Sequence, residues 1–195
     1  MKPIVNHPAL ILSALGLASG TLGTFMLGFG YGEAPNPGVY MILAGIWFGL
    51  VVGFGVWNWG SKYWSAAAVA LAATWIGWEV AVNLALQLEE NWLKATTIPD
   101  TISPYVSGFT AGAVGAFLTW TGAAASTPLL RRATTAIIVV STGAVFGLLL
   151  PWTNNYDSPA ILLLPWQAAV AAAFGFGLAT DKYAQQPQSI SPARA

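Results

Sequence analysis

Six long stretches of this chain carry a single acidic or basic side chain between them. They run approximately over residues 8–29, 38–59, 63–87, 105–125, 133–151 and 159–179, and the exception is Glu79. A membrane-spanning helix needs about 20 mostly apolar residues. In hydrocarbon, every backbone polar group must be bonded internally, so only helices and closed barrels can cross. The fold class is therefore an all-α integral membrane protein, a bundle of six transmembrane helices. Only 7% of the 195 residues are charged, against roughly 25% in soluble domains. Residues 1–183 read as one transmembrane domain. Residues 184–195 are polar and Pro-containing, and are expected to form a disordered cytoplasmic tail.

Charge sets the orientation. Lys2, Lys62, Arg131, Arg132, Lys182 and Arg194 fall on one side, whereas Glu33, Glu89, Glu90, Lys94, Asp100 and Asp157 fall on the other. The positive-inside rule then places both termini in the cytoplasm, which requires an even number of helices. Pro37, Pro104 and Pro159 precede or open the even-numbered helices, where a missing N–H costs little. The first apolar run exceeds the roughly 7–15 residues of a signal-peptide core. The expected location is a bacterial inner membrane.

Several chemistries are excluded. There is no cysteine, so disulfides, thiolate metal sites and iron–sulfur clusters are impossible. The single histidine, His7, precedes the first segment, which rules out bis-histidine haem ligation. Lys2, Lys62, Lys94 and Lys182 lie outside the apolar segments, leaving none for a buried retinal Schiff base. No metal-ligand pair, HExxH, Walker motif or nucleophile elbow is present. Ser13, Ser19, Thr110, Thr119 and Ser141 have no histidine or lysine at membrane depth to activate them. An enzyme is not expected, and no cofactor is specified. Zero net charge gives no reason to expect nucleic acid as a partner.

The informative segment is the third. Trp75, Glu79, Asn83 and Gln87 recur every four residues and form one stripe on a helix. The opposite face is apolar, so the stripe must meet protein or a water-filled cavity. By helical rise Glu79 lies near the midplane, a few ångströms outward. A charge at that depth costs on the order of 3 kcal/mol on insertion scales. Three resolutions are open: a protonated carboxyl that donates a hydrogen bond, a hydrated cavity, or a cation.

Gln167 has a similar depth on the sixth segment, where Pro165 interrupts helical bonding. Six tryptophans (Trp57, Trp59, Trp64, Trp92, Trp120 and Trp152) fit interfacial belts. Trp47, Trp75, Trp78 and Trp166 lie deeper, roughly 10–20 Å into the outer half. Together with Glu79, Asn83, Gln87 and Gln167 they define a candidate outward-facing aromatic cavity. A carboxylate beside indole faces suits a small organic cation, and a flat heteroaromatic ligand equally. Depth matching does not fix which residues face one another. The plain alternative is that the tryptophans fill space and Glu79 donates to a neighbouring hydroxyl or carbonyl.

Small residues recur at packing spacing: Gly16/Gly20, Gly45/Gly49/Gly53 and Gly108/Gly112. Such faces bring helix backbones close, within one bundle or between copies and partner subunits. The longest outer loop, Leu88–Ser103, begins with a segment suited to an interfacial helix.

Three functions fit. One is a small-solute binding or transport component anchored by Glu79. A second is a non-catalytic accessory or structural subunit of a larger membrane complex. The third is a homo-oligomeric channel lined by the Trp75–Gln87 stripe, against which the alanine-rich inner half, Ala66 to Thr74, argues. In general plan the chain resembles the substrate-binding subunits of energy-coupling-factor vitamin transporters, whose first helix carries an AxxxA pair. Ala14 and Ala18 match that pair. The resemblance implies a six-helix fold and an outward binding site.

Overall fold

The computed structural model describes residues 7–27, 29–31 and 39–184. Its elements are α1 (Pro8–Phe25), β1 (Phe29–Tyr31), β2 (Val39–Met41), α2 (Ile42–Trp59), α3 (Trp64–Gln87), α4 (Ser103–Ser126), α5 (Ala133–Gly147), α6 (Leu150–Tyr156) and α7 (Ala160–Ala184). Five helical spans are long and apolar enough to cross a membrane. α4 is equally long and carries no charged residue, but its Gly, Ser and Thr content lowers its hydropathy. The chain thus has the build of a multi-pass membrane protein.

Two expected segments begin or end differently. The second helix, expected from residue 38, starts at Ile42. Val39–Met41 instead pairs antiparallel with Phe29–Tyr31, with Gly30 opposite Tyr40, so those backbone groups serve a hairpin. The fifth segment, expected to run unbroken to 151, divides after Gly147. Pro151 has no N–H to return to the Gly147 carbonyl, and it sits in the first turn of α6. α3 runs on beyond Gln87 through a π turn (Leu88–Trp92) and a 3-10 turn (Leu93–Ala95), which is where the interfacial segment was expected. The tail from 185 lies outside the described residues.

The six long helices form a closed ring. Each packs on its sequence neighbour, and α7 returns to pack extensively on α1. Every neighbouring pair runs antiparallel: Gly49 meets Leu71 and Gly53 meets Ala67 between α2 and α3, while Gly16 meets Gln167 and Gly175 meets Ala9 between α1 and α7. The start of α1, the end of α7 and the loops holding Lys62, Arg131 and Arg132 therefore share one end of the bundle.

Glycine permits the closest approaches. A Cβ on Gly16 would lie 2.5 Å from the Gln167 carbonyl oxygen, and one on Gly20 would lie 2.7 Å from that of Leu163. Gly108 and Gly112 of α4 lie directly against Gly147 and Gly143 of α5. Without Cβ atoms the backbones gain dispersion contact that larger residues would prevent. The centre of the ring is filled by Phe48, Trp78, Trp166, Val170 and Phe174.

Aromatic rings mark both ends of the bundle's outer surface. Trp57 and Trp64 are exposed at the basic end, and Trp92 and Trp152 at the other. At the basic end the Arg131 side chain closes α4, donating through Nε to the Ala124 carbonyl (2.9 Å) and through Nη2 to that of Ala125 (2.8 Å). A cation at a helix C-terminus satisfies free carbonyls and the dipole together.

Candidate functional site

Glu79 sits on α3 where β2 packs against that helix. Its Oε2 accepts the backbone N–H of Met41 at 3.4 Å. Met41 is the residue that leads into α2, so the carboxyl group lies at the positive end of that helix. Its other oxygen, Oε1, is buried with no hydrogen-bond partner.

Trp75, one turn earlier on α3, neighbours the same carboxyl group. Its buried indole N–H is directed toward that carboxyl group but falls short of hydrogen-bond geometry, and the buried Trp78 N–H has no partner. Both rings lie against α2 because residue 45 is glycine: a Cβ there would be 3.0 Å from Trp75 Cδ1 and 3.1 Å from Trp78 Cδ1. Trp75, Trp78 and Glu79 thus gather around the N-terminal end of α2.

The remaining sequence-predicted residues divide. Trp166 meets Trp78 edge-on, with centroids 5.7 Å apart, and Phe48 likewise at 5.4 Å. Its N–H donates to the Gly143 carbonyl at 2.9 Å, tying α7 to α5. Gln167 is wholly buried. Its Oε1 accepts the Ser19 hydroxyl at 2.6 Å, a link from α7 to α1, while its Nε2 has no partner. Trp47 is two residues from Gly45 and so projects from the far side of α2, away from Trp75 and Trp78; its buried N–H is also without a partner.

Asn83 and Gln87 carry the stripe toward the C-terminal end of α3. Asn83 Nδ2 donates to the Glu79 carbonyl at 2.9 Å, and Gln87 Oε1 accepts from Asn91 Nδ2 at 2.7 Å. Asn91 was not singled out in the sequence, although it is the next step of the same four-residue spacing. The Met41 N–H carried no signal at all, being a backbone group freed by the late start of α2.

Buried polar atoms without partners are few in folded proteins, and each calls for an explanation. Here an acceptor (Glu79 Oε1) and two donors (Trp75 and Trp78 Nε1) occur in one region. That set can hold a small molecule offering both a donor and an acceptor. Among the described residues, no group of three His, Cys, Asp or Glu side chains could hold a metal. No family model, curated protein or solved structure matches this chain. Ala14 and Ala18, which carry the resemblance in plan, lie exposed on α1.

Proposed function

We propose that the protein is a membrane-embedded small-solute binding component of a transport system, with its site in the outer half of the bundle. The ligand lies against Glu79, Trp75 and Trp78. Asn83 and Gln87 line its approach, and Trp166 and Gln167 back the site from the core. The observation that carries this reading is the unpartnered Glu79 oxygen beside two unpartnered indole N–H groups, all buried. The ligand class is a small organic cation or an N–H-bearing heteroaromatic. Either donates to the carboxylate, and a cation gains further attraction from the indole faces. The basic end faces the cytoplasm under the positive-inside rule, so both termini are cytoplasmic and the site opens outward.

The accessory-subunit reading is supported by one arrangement. Phe48, Trp166 and Trp78 pack edge to face as a filled core, and Trp166 has its hydrogen bond satisfied internally. The channel reading draws no such support. Ala66, Ala70 and Thr74 on the inner half of α3 are buried against neighbouring helices, which leaves no polar path there.

The test is thermal unfolding of purified wild type and Glu79→Gln across a panel of organic cations and vitamins. Stabilisation in wild type that vanishes in the variant supports a site at Glu79. Absence of stabilisation, with partner subunits co-purifying with wild type and lost from the variant, favours the accessory role.

A further inference from the structure

Within the six long apolar stretches Glu79 is the one acidic or basic side chain, so the charge of the candidate site is the charge of this carboxyl group. Its known neighbours are donors. The Met41 N–H bonds Oε2, and the Trp75 indole N–H is directed toward the group. Oε1 is buried and has no bond of full geometry. Among the described residues no basic side chain pairs with it. Lys62 and Lys94 are exposed beyond the two ends of α3, each about 20 Å or more from Glu79 by helical rise.

Other titratable groups on elements packed against α3 are Tyr40 of β2, Tyr105 of α4, and Glu89 and Glu90 of the π turn; α2 has none. Of these only the glutamates are carboxylic acids, and they follow Glu79 by about three helical turns. A carboxylate at membrane depth without a counter-charge is costly. One proton neutralises it and so does one monovalent cation, and each removes the charge that draws the other.

We propose that Glu79 exchanges one proton for one guanidinium-type organic cation, which makes the protein a proton–cation exchanger. This rests on the solute-binding reading above. As the cation arrives, the carboxyl O–H breaks, the proton leaves to water, and the cation's N–H groups donate to the freed carboxylate. The carboxyl group and its occupant are together neutral in both loaded states, as a site at membrane depth requires. The burial of Oε1 selects guanidinium over ammonium. A ligand must shed its water to reach that oxygen, and guanidinium is the more weakly hydrated of the two and stacks on aromatic rings. Trp75 and Trp78 supply the aromatic surface on the same stretch of α3.

Methylguanidinium is titrated calorimetrically into the purified full chain from about pH 5 to about pH 9, a range in which its own charge is fixed. Two buffers of different ionisation enthalpy count the protons released. Wild type should release about one proton per cation at the acid end and none at the alkaline end, with affinity falling about tenfold for each pH unit on the acid side. Glu89→Gln and Glu90→Gln should keep this dependence, and Glu79→Gln should bind no methylguanidinium. The proton count on wild type decides the point even where the Glu79 variant does not fold. Binding without proton release at any pH would overturn the exchange and leave the solute site standing. A pH dependence abolished in Glu89→Gln or Glu90→Gln would place the proton elsewhere and overturn it too. No binding at any pH would overturn the guanidinium assignment, whereas the solute-binding reading fails only if neutral heteroaromatics also give no stabilisation that depends on Glu79.

Discussion

The carboxyl group of Glu79 on α3 accepts the N–H of Met41 at 3.4 Å, at the start of α2. One membrane helix thus sets its single ionisable group against the positive end of another. This supplies part of what a missing basic partner would have supplied, through a hydrogen bond and a helix dipole. It engages only Oε2, while Oε1 has no bond of full hydrogen-bond geometry, with the Trp75 indole N–H directed toward the group.

Glu79→Ala removes the acceptor of the Met41 N–H and should destabilise the ligand-free protein by about 1–3 kcal/mol. Glu79→Gln keeps an acceptor oxygen and should cost less than about 1 kcal/mol. Denaturant unfolding in a fixed detergent compares them. An Ala variant as stable as wild type would show that the Met41 contact contributes nothing.

Two tryptophans on the same core contact should respond differently to Trp→Phe. Trp166→Phe removes the second hydrogen bond of the Gly143 carbonyl, which keeps its bond within α5, and should cost about 0.5–1.5 kcal/mol beyond the packing loss. Trp78→Phe removes an N–H that has no protein partner, so only packing is lost. Solute binding, in contrast, should weaken in the Trp78 variant. Equal stability losses with unchanged binding would remove Trp78 from the site.

Glycine positions around the ring should separate by what lies opposite. Gly112→Ala drives a Cβ into the Gly143 backbone and should cost about 1–3 kcal/mol through overpacking. At Gly23 the nearest atom to an added Cβ is 3.5 Å away, an ordinary contact. Gly23→Ala should be neutral or gain up to about 1 kcal/mol from helix propensity. Thermal midpoints read both, and a reversed order would contradict the α4–α5 approach.

Ser19→Ala withdraws the hydroxyl donated to Gln167 Oε1. With Nε2 already without a partner, the buried amide then has no hydrogen bond to a described residue. A loss of about 1–3 kcal/mol is expected, measured by the same unfolding assay. No change would mean that the amide finds another partner in water or ligand.

The long apolar helices and the four-residue stripe were legible in the sequence because they follow from local periodicity and from the absence of charge. The spacing from Trp75 to Gln87 placed Glu79, Asn83 and Gln87 on one ladder, and the hydrogen bonds run along it. Azimuth was not legible. Trp47 and Trp75 have similar depths, yet Gly45 draws Trp75 to the α2–α3 interface while Trp47 projects from the opposite side of α2. The start of α2 was also hidden, because Val39–Met41 is apolar enough to continue the helix and is diverted only by pairing with Phe29–Tyr31. The break at Gly147 was readable from Pro151. The return of α7 onto α1 depends on all six helices together and leaves no local mark.

The most direct test of the account asks whether water and solute reach Glu79 from outside. The chain has no native cysteine, so single substitutions report without background. Asn83→Cys, one turn outward from Glu79, is treated in intact cells with a membrane-impermeant maleimide. Ala70→Cys, fully buried on the same helix, serves as the reference. The account predicts rapid labelling at 83, slowed by any solute that stabilises wild type, and none at 70. A position 83 as unreactive as position 70 would contradict an outward-opening site.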